Sequence, residues 1–155
     1  MSVIELNLPD LDATERLGRR IAERARPGDA VLLSGPLGAG KSAIARALLR
    51  ALAGDPALEV PSPTFTLVQS YQTSRLVAHH LDLWRLPAWQ ADARDTLTEL
   101  GWDDWDGDLL IVEWPERLGP RAPADALTVD LAMGPVDGGR SARLDGWGDR
   151  PGLAA

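Results

Sequence analysis

Residues 30–42 read Ala30-Val31-Leu32-Leu33-Ser34-Gly35-Pro36-Leu37-Gly38-Ala39-Gly40-Lys41-Ser42. The first five form a short apolar run without alternation, as expected of a strand buried in a parallel sheet. The next eight fit G-x-x-x-x-G-K-S. In such a loop the glycines let successive backbone N–H groups converge on phosphate oxygens, and the N-terminus of the following helix adds partial positive charge. That helix is expected from about Lys41. Ile44, Ala45, Leu48, Leu49 and Leu52 share one face, Arg46 and Arg50 lie opposite, and Gly54-Asp55-Pro56 stops it. At ordinary glycine usage of ~7%, the four fixed positions coincide by chance in well under ~1% of chains this long. The ligand this pattern points to is ATP with Mg2+: Lys41 reaches the terminal phosphates and Ser42 offers its hydroxyl to the ion. A tight glycine turn between strand and helix is the plain alternative, and it does not explain why the only lysine of the chain falls here.

Length and composition agree with one such domain. A chain of 155 residues, 45% of them hydrophobic and 25% charged, buries enough apolar surface for a single core without disulfides. There are no cysteines, which excludes a disulfide framework, a thiolate zinc site and a cysteine nucleophile, and fits a reducing, cytoplasmic location. No apolar stretch approaches the ~20 residues that cross a bilayer, and Met1 to Glu5 lacks the features of an export signal. The net charge of −7 disfavours a broad electrostatic grip on nucleic acid, which depends on many basic contacts to phosphates.

Working outward, Val3 to Leu8 alternates and reads as a strand. Asp12-Ala13-Thr14-Glu15 looks like a capping box opening a helix, with Leu17, Ile21 and Ala25 as its apolar stripe and an end near Pro27-Gly28. Phe65 to Tyr71 and Leu76 to Trp84 read as strands, and Ala88 to Leu100 has helical spacing at best. Leu109-Leu110-Ile111-Val112, the most hydrophobic run, reads as a central buried strand ending in Glu113-Trp114-Pro115. Leu127 to Met133 and Arg140 to Trp147 form two late strands around a turn-rich segment. One domain over 1–148 is expected, with 149–155 as a disordered tail.

A phosphate and metal site of this kind needs a carboxylate, usually at the carboxyl end of a neighbouring buried strand. Glu113 fits that place, although an acid at a strand end in a solvated turn is the common alternative. Asp82, flanked by leucines, either bears a burial cost or has a task. His79 and His80 point to opposite faces of a strand and cannot chelate one ion together, so one is expected at the surface and one packed. Thr64 and Thr66 are either contacts to the γ-phosphate, metal or water from a switch-like loop, or simply β-formers. A small-molecule kinase would need an acceptor pocket and arginines in a closing lid, and no arginine-rich insertion is present. A nucleotide-gated module without turnover reads the same as a slow hydrolase.

Four segments in combination, Leu37 to Ser42, Ser62-Pro63-Thr64-Phe65-Thr66-Leu67-Val68, His80-Leu81-Asp82-Leu83-Trp84-Arg85-Leu86 and Val112-Glu113-Trp114-Pro115, resemble the TsaE family. This is the small bacterial ATPase subunit of the machinery that makes threonylcarbamoyladenosine in tRNA, and the likeness runs from Leu8 to about Arg143. The resemblance implies a single-domain P-loop NTPase of the α/β class, with a central, mainly parallel sheet, flanking helices and late antiparallel strands. It implies weak, partner-dependent ATP hydrolysis beside the two threonylcarbamoyl-transfer subunits, the TsaB and TsaD families, which leave tRNA contact mostly indirect. It further implies nucleotide contacts from Gly38, Ala39, Gly40, Lys41, Ser42 and Ala43, with Ser42 and Glu113 at the metal. Lys41, Asp82, Glu113 and Thr64 are implied in hydrolysis, with Asp82 and Thr66 also near the nucleotide. Arg140 is implied against the base, with Leu11 nearby. Pro36, Ser42, Trp84 and Leu11 depart from the family pattern, and Leu11 leaves only backbone or apolar contact to the base.

Overall fold

The computed structural model describes residues 3–63, 66–86, 91–134, 139–148 and 150–153, with 91–95 as helix backbone only. Seven strands form one sheet in the order β1-β7-β6-β2-β5-β4-β3. They are β1 Val3–Leu8, β2 Ala30–Ser34, β3 Val68–Gln72, β4 Val77–Asp82, β5 Leu109–Glu113, β6 Leu127–Met133 and β7 Arg140–Asp145. The central four, β6, β2, β5 and β4, run parallel. β7 joins β6 antiparallel, β1 joins β7 antiparallel, and β3 forms an antiparallel pair with β4. The mainly parallel centre with late antiparallel strands is the expected α/β architecture.

The apolar run of β2 is buried along Ala30 to Leu33 because helices cover both faces of the sheet. On one face α1 Leu11–Arg24 and α2 Lys41–Ala53 pack together over Val31, Leu33, Leu109 and Ile111. The stripes read from the sequence are those buried: Leu17, Ile21, Ile44, Leu48 and Leu49 are each 0% exposed, and each such side chain contributes roughly 1.5–3 kcal/mol. Gly18 makes the close approach possible. A Cβ built there would lie 2.8 Å from Ala47 Cβ and 2.8 Å from the Ile44 carbonyl oxygen. On the other face Leu97 of α3, Ala91–Leu100, and Leu118 of a 3-10 segment, Pro115–Arg121, cover Leu32, Leu81 and Val112.

Several local expectations are corrected. α1 starts at Leu11, two residues earlier than the Asp12 box implies, because the Asp10 side chain accepts the Ala13 N–H at 2.8 Å. It ends at Arg24, whose turn Arg75 closes by donating to the carbonyls of Ala22 and Ala25. Neither histidine of β4 is at the surface: His79 is 5% and His80 1% exposed. His79 lies between Ser70 Oγ (2.8 Å) and Asp108 Oδ2 (2.7 Å) and stacks on Trp105. A strand covered on both faces has no wet side to offer either of them.

Residues 150–153 pack against α1 and the turn that follows it. Arg150 forks onto Asp29 through two bonds, 2.6 and 3.0 Å, and donates to the Arg24 carbonyl. Leu153 is 1% exposed within the main core. Arg20 and Arg24 hold the carbonyls of Leu153 and Pro151. One arginine and one leucine in a Gly- and Pro-rich segment suffice as anchors because α1 supplies matching groups.

Candidate functional site

The carboxyl ends of β2, β4 and β5 open into one pocket of about 570 Å³, within the size range of small-molecule sites. Its floor is the glycine loop. Gly35 takes φ +139°, and a Cβ there would sit 2.5 Å from the Leu131 carbonyl oxygen, so the loop leaves β2 by a path that only glycine follows. α2 then begins at Gly40 with no side-chain cap and no acid in its first turn. α1, by contrast, is capped by Asp10 and carries Asp12 in its first turn. The first-turn N–H groups of α2 and its positive dipole end are therefore at the pocket without an anion supplied by the helix itself.

Lys41 is 5% exposed. Its ammonium donates to the Gly35 carbonyl and, at 3.2 Å, to that of Pro36, and it lies 4.0 Å from the Trp114 ring centroid. Burial pushes its pKa below the ordinary value, against the opposing pull of the Glu113, Glu116 and Asp82 carboxylates. Trp114 holds a left-handed backbone, φ 60° and ψ 53°, and tilts against Trp84 with centroids 4.4 Å apart. A bulky residue held in that conformation stores roughly 1–3 kcal/mol, a cost met most often at functional sites.

Two carboxylates face the lysine. Asp82 and Glu113 are register partners on parallel β4 and β5, which places both side chains on the α1–α2 face of the sheet. Glu113 is 2% exposed. Its Oε1 accepts the Ser42 hydroxyl at 3.0 Å and its Oε2 accepts His80 Nε2–H at 2.7 Å. Asp82, 5% exposed, accepts the Trp84 N–H on Oδ1 at 3.1 Å and the Ser62 hydroxyl on Oδ2 at 3.4 Å.

Of the residues singled out from sequence, Leu11, Gly38, Gly40, Lys41, Ser42 and Ala43 line the pocket, as do Asp82, Glu113 and Arg140. Ala39 is buried in the loop, its N–H bonded to the Pro36 carbonyl. Arg140 donates Nε to the Gly38 carbonyl at 2.9 Å, which holds its guanidinium at the rim. Thr66 is exposed and is not among the described residues that line the pocket, and Thr64 lies outside the described residues. Thr14, Ser62, Trp84 and Trp114 also line the pocket. Of these, Trp114 carried a signal, its place beside Glu113. His80 carried another: it is two residues from Asp82, hence on the same strand face.

Fold and site together define an open-sheet α/β protein that presents a glycine loop, a buried lysine and paired carboxylates at the carboxyl ends of its parallel strands. The family model described as "Threonylcarbamoyl adenosine biosynthesis protein TsaE" matches residues 8–141. The chain belongs to the TsaE family. A Synechocystis relative named tRNA threonylcarbamoyladenosine biosynthesis protein TsaE is 38% identical over 123 residues, 78% of this chain and 75% of the relative. Relatives of the same name from Rickettsia felis and Mycobacterium tuberculosis are 36% identical over 129 residues and 38% over 131, covering 83% and 80% of this chain and 72% and 76% of their own. The crystal structure of Bacillus subtilis YdiB has a TM-score of 0.75 at 22% identity, over 96% of this chain and 88% of that one. At that identity the likeness shows the fold.

Proposed function

We propose that this chain binds ATP with magnesium in the pocket and hydrolyses it slowly, as the nucleotide-dependent subunit of the machinery that makes threonylcarbamoyladenosine in tRNA. The observation that carries the reading is the meeting of the uncapped α2 N-terminus, Lys41 and the Ser42–Glu113 pair at one point. Backbone N–H groups of Gly38 to Ala43 cradle the phosphates, and Lys41 exchanges the carbonyls of Gly35 and Pro36 for phosphate oxygens.

The protein oxygens suit magnesium, a hard ion that takes few protein ligands beside phosphate and water. Octahedral ligands at about 2.0–2.1 Å stand about 2.9 Å apart, and Ser42 Oγ lies 3.0 Å from Glu113 Oε1. Among the described residues no cluster of three or more His, Asp or Glu competes as a metal cage. When bound, the ion neutralises charge on the β and γ phosphates. Ser42 and Glu113 would hold it, and Asp82 orients the attacking water from the neighbouring strand. Arg140 and Leu11 border the base end.

The reading extends to partners and place. The family name ties the chain to tRNA modification, and the TsaB and TsaD families are the proposed partners, with tRNA contacted mostly through them. Among the described residues no helix is long and apolar enough to cross a membrane. That agrees with the proposed cytoplasmic location. Single-turnover phosphate release, with and without the transfer subunits, tests the whole. Free phosphate released in a magnesium-dependent way is expected; label appearing on an added small molecule instead would overturn hydrolysis in favour of a kinase.

A further inference from the structure

His80 is 1% exposed, on the strand face it shares with Asp82. Its Nε2 lies 2.7 Å from Glu113 Oε2, while its Nδ1 is buried with no hydrogen-bond partner among the described residues. A carboxylate only accepts, so Nε2 carries the proton and Nδ1 presents a bare lone pair. The reverse tautomer would leave a buried N–H unpaired and set two acceptors against each other. An unpaired buried ring nitrogen is a cost that a phenylalanine or leucine at this point would not bear. Among the described residues the bond to Glu113 is the polar contact that accounts for a histidine here.

That bond has a directional effect. Glu113 has two oxygens: His80 holds one, and the other faces Ser42 at 3.0 Å. Carboxylates that ligate ions are themselves anchored by outer hydrogen bonds, and losing such an anchor typically weakens affinity or activity by about 10–100-fold. We infer that His80 is a positioning residue, whose Nε2–H pins Glu113 Oε2 so that Oε1 stays turned toward Ser42 and the metal. This inference rests on the proposed Mg2+–ATP site.

Glutamine is the conservative replacement, because its amide nitrogen is as many bonds from Cβ as Nε2 of histidine. Phenylalanine keeps the volume and removes the donor, and asparagine keeps polarity but is too short to reach Oε2. In the full chain with ATP, His80→Phe and His80→Asn are expected to raise the Mg2+ concentration for half-maximal phosphate release by about 10–100-fold. ATP affinity measured in EDTA stays within about threefold, and His80→Gln returns the Mg2+ dependence to within about threefold of wild type. Nitrogen NMR of the free chain, which needs neither nucleotide nor metal, is expected to show the Nε2–H tautomer for His80, with its proton signal displaced in Glu113→Ala.

If His80→Phe unfolds, His80→Asn carries the comparison. Unchanged Mg2+ dependence in the folded donor-less variant overturns the inference, as does a glutamine variant no better than it or an Nδ1–H tautomer. A wild-type chain that shows no Mg2+-dependent phosphate release even with the transfer subunits overturns the Mg2+–ATP hydrolysis reading itself, and this inference with it.

Discussion

Replacing Lys41 with methionine keeps most of the side chain's volume and removes its charge, and the structure sets the size of the effect. An ammonium about 3.5 Å from a phosphate charge gains about 5 kcal/mol at an effective dielectric of about 20. Against this stand the interactions Lys41 gives up: the bonds to the Gly35 and Pro36 carbonyls and the Trp114 face at 4.0 Å. Together these offset about 2 kcal/mol. The remaining 3 kcal/mol or so corresponds to a loss of about 100-fold in ATP affinity. Isothermal calorimetry with ATP and Mg2+ measures it, and thermal melting checks that the variant folds. Because the lysine is 5% exposed and its charged form is disfavoured by burial, methionine should not lower the melting temperature. An affinity within threefold of wild type in a folded variant would refute the reasoning, since the phosphates would then not be meeting this ammonium.

Glu113→Gln keeps the volume and an acceptor oxygen for Ser42 but removes the charge, so ATP should still bind while phosphate release falls by about 100-fold or more; quench-flow against calorimetry separates the two. The depressed Lys41 pKa has a signed consequence. Between the depressed value and the ordinary 10.5, the free folded chain has already lost a proton that the unfolded chain keeps, so stability rises with pH through that window. A phosphate beside the amine favours its charged form, so ATP binding there takes up a proton, seen as a dependence of binding heat on buffer ionisation that Lys41→Met abolishes. Ending the chain after residue 148 removes Leu153 from the core and breaks the Arg150–Asp29 fork. It should lower stability by about 2–4 kcal/mol in denaturant unfolding; an unchanged midpoint would mean the segment is not anchored in solution.

Features set by local chemistry were legible from the residues. β2, the glycine loop and α2 follow from an apolar run, a glycine pattern and a helical period that need no distant partner. Glu113 was legible as an acid ending an apolar strand and Asp82 as an acid flanked by leucines within one, but their pairing is a matter of register between β4 and β5. His79 and His80 show the limit: period two puts them on opposite faces, yet whether a face is wet depends on helices far away in sequence. The Asp10 cap was missed because Asp12 imitates the same signal two residues on. Arg150 and Leu153 were missed because their partners, Asp29 and α1, lie more than a hundred residues upstream. Trp114 is similar: its position after Glu113 was plain, but its left-handed backbone and its contact with Lys41 arise only when the loop after β5 folds back over the pocket.

The seam between α1 and α2 has a further consequence. Leu11 and Thr14 of α1 form one wall of the pocket while the glycine loop leads into α2, and a Cβ on Gly40 would come within 3.4 Å of Thr14. The spacing of the two walls is therefore set about one turn farther along, where Gly18 meets Ala47 with no room for a methyl group. The helix pair works as a caliper whose screw is a missing side chain. Widening it at residue 18 would loosen the grip on whatever sits against Leu11 and leave the glycine-loop end of the pocket, which α1 does not hold, at its original setting.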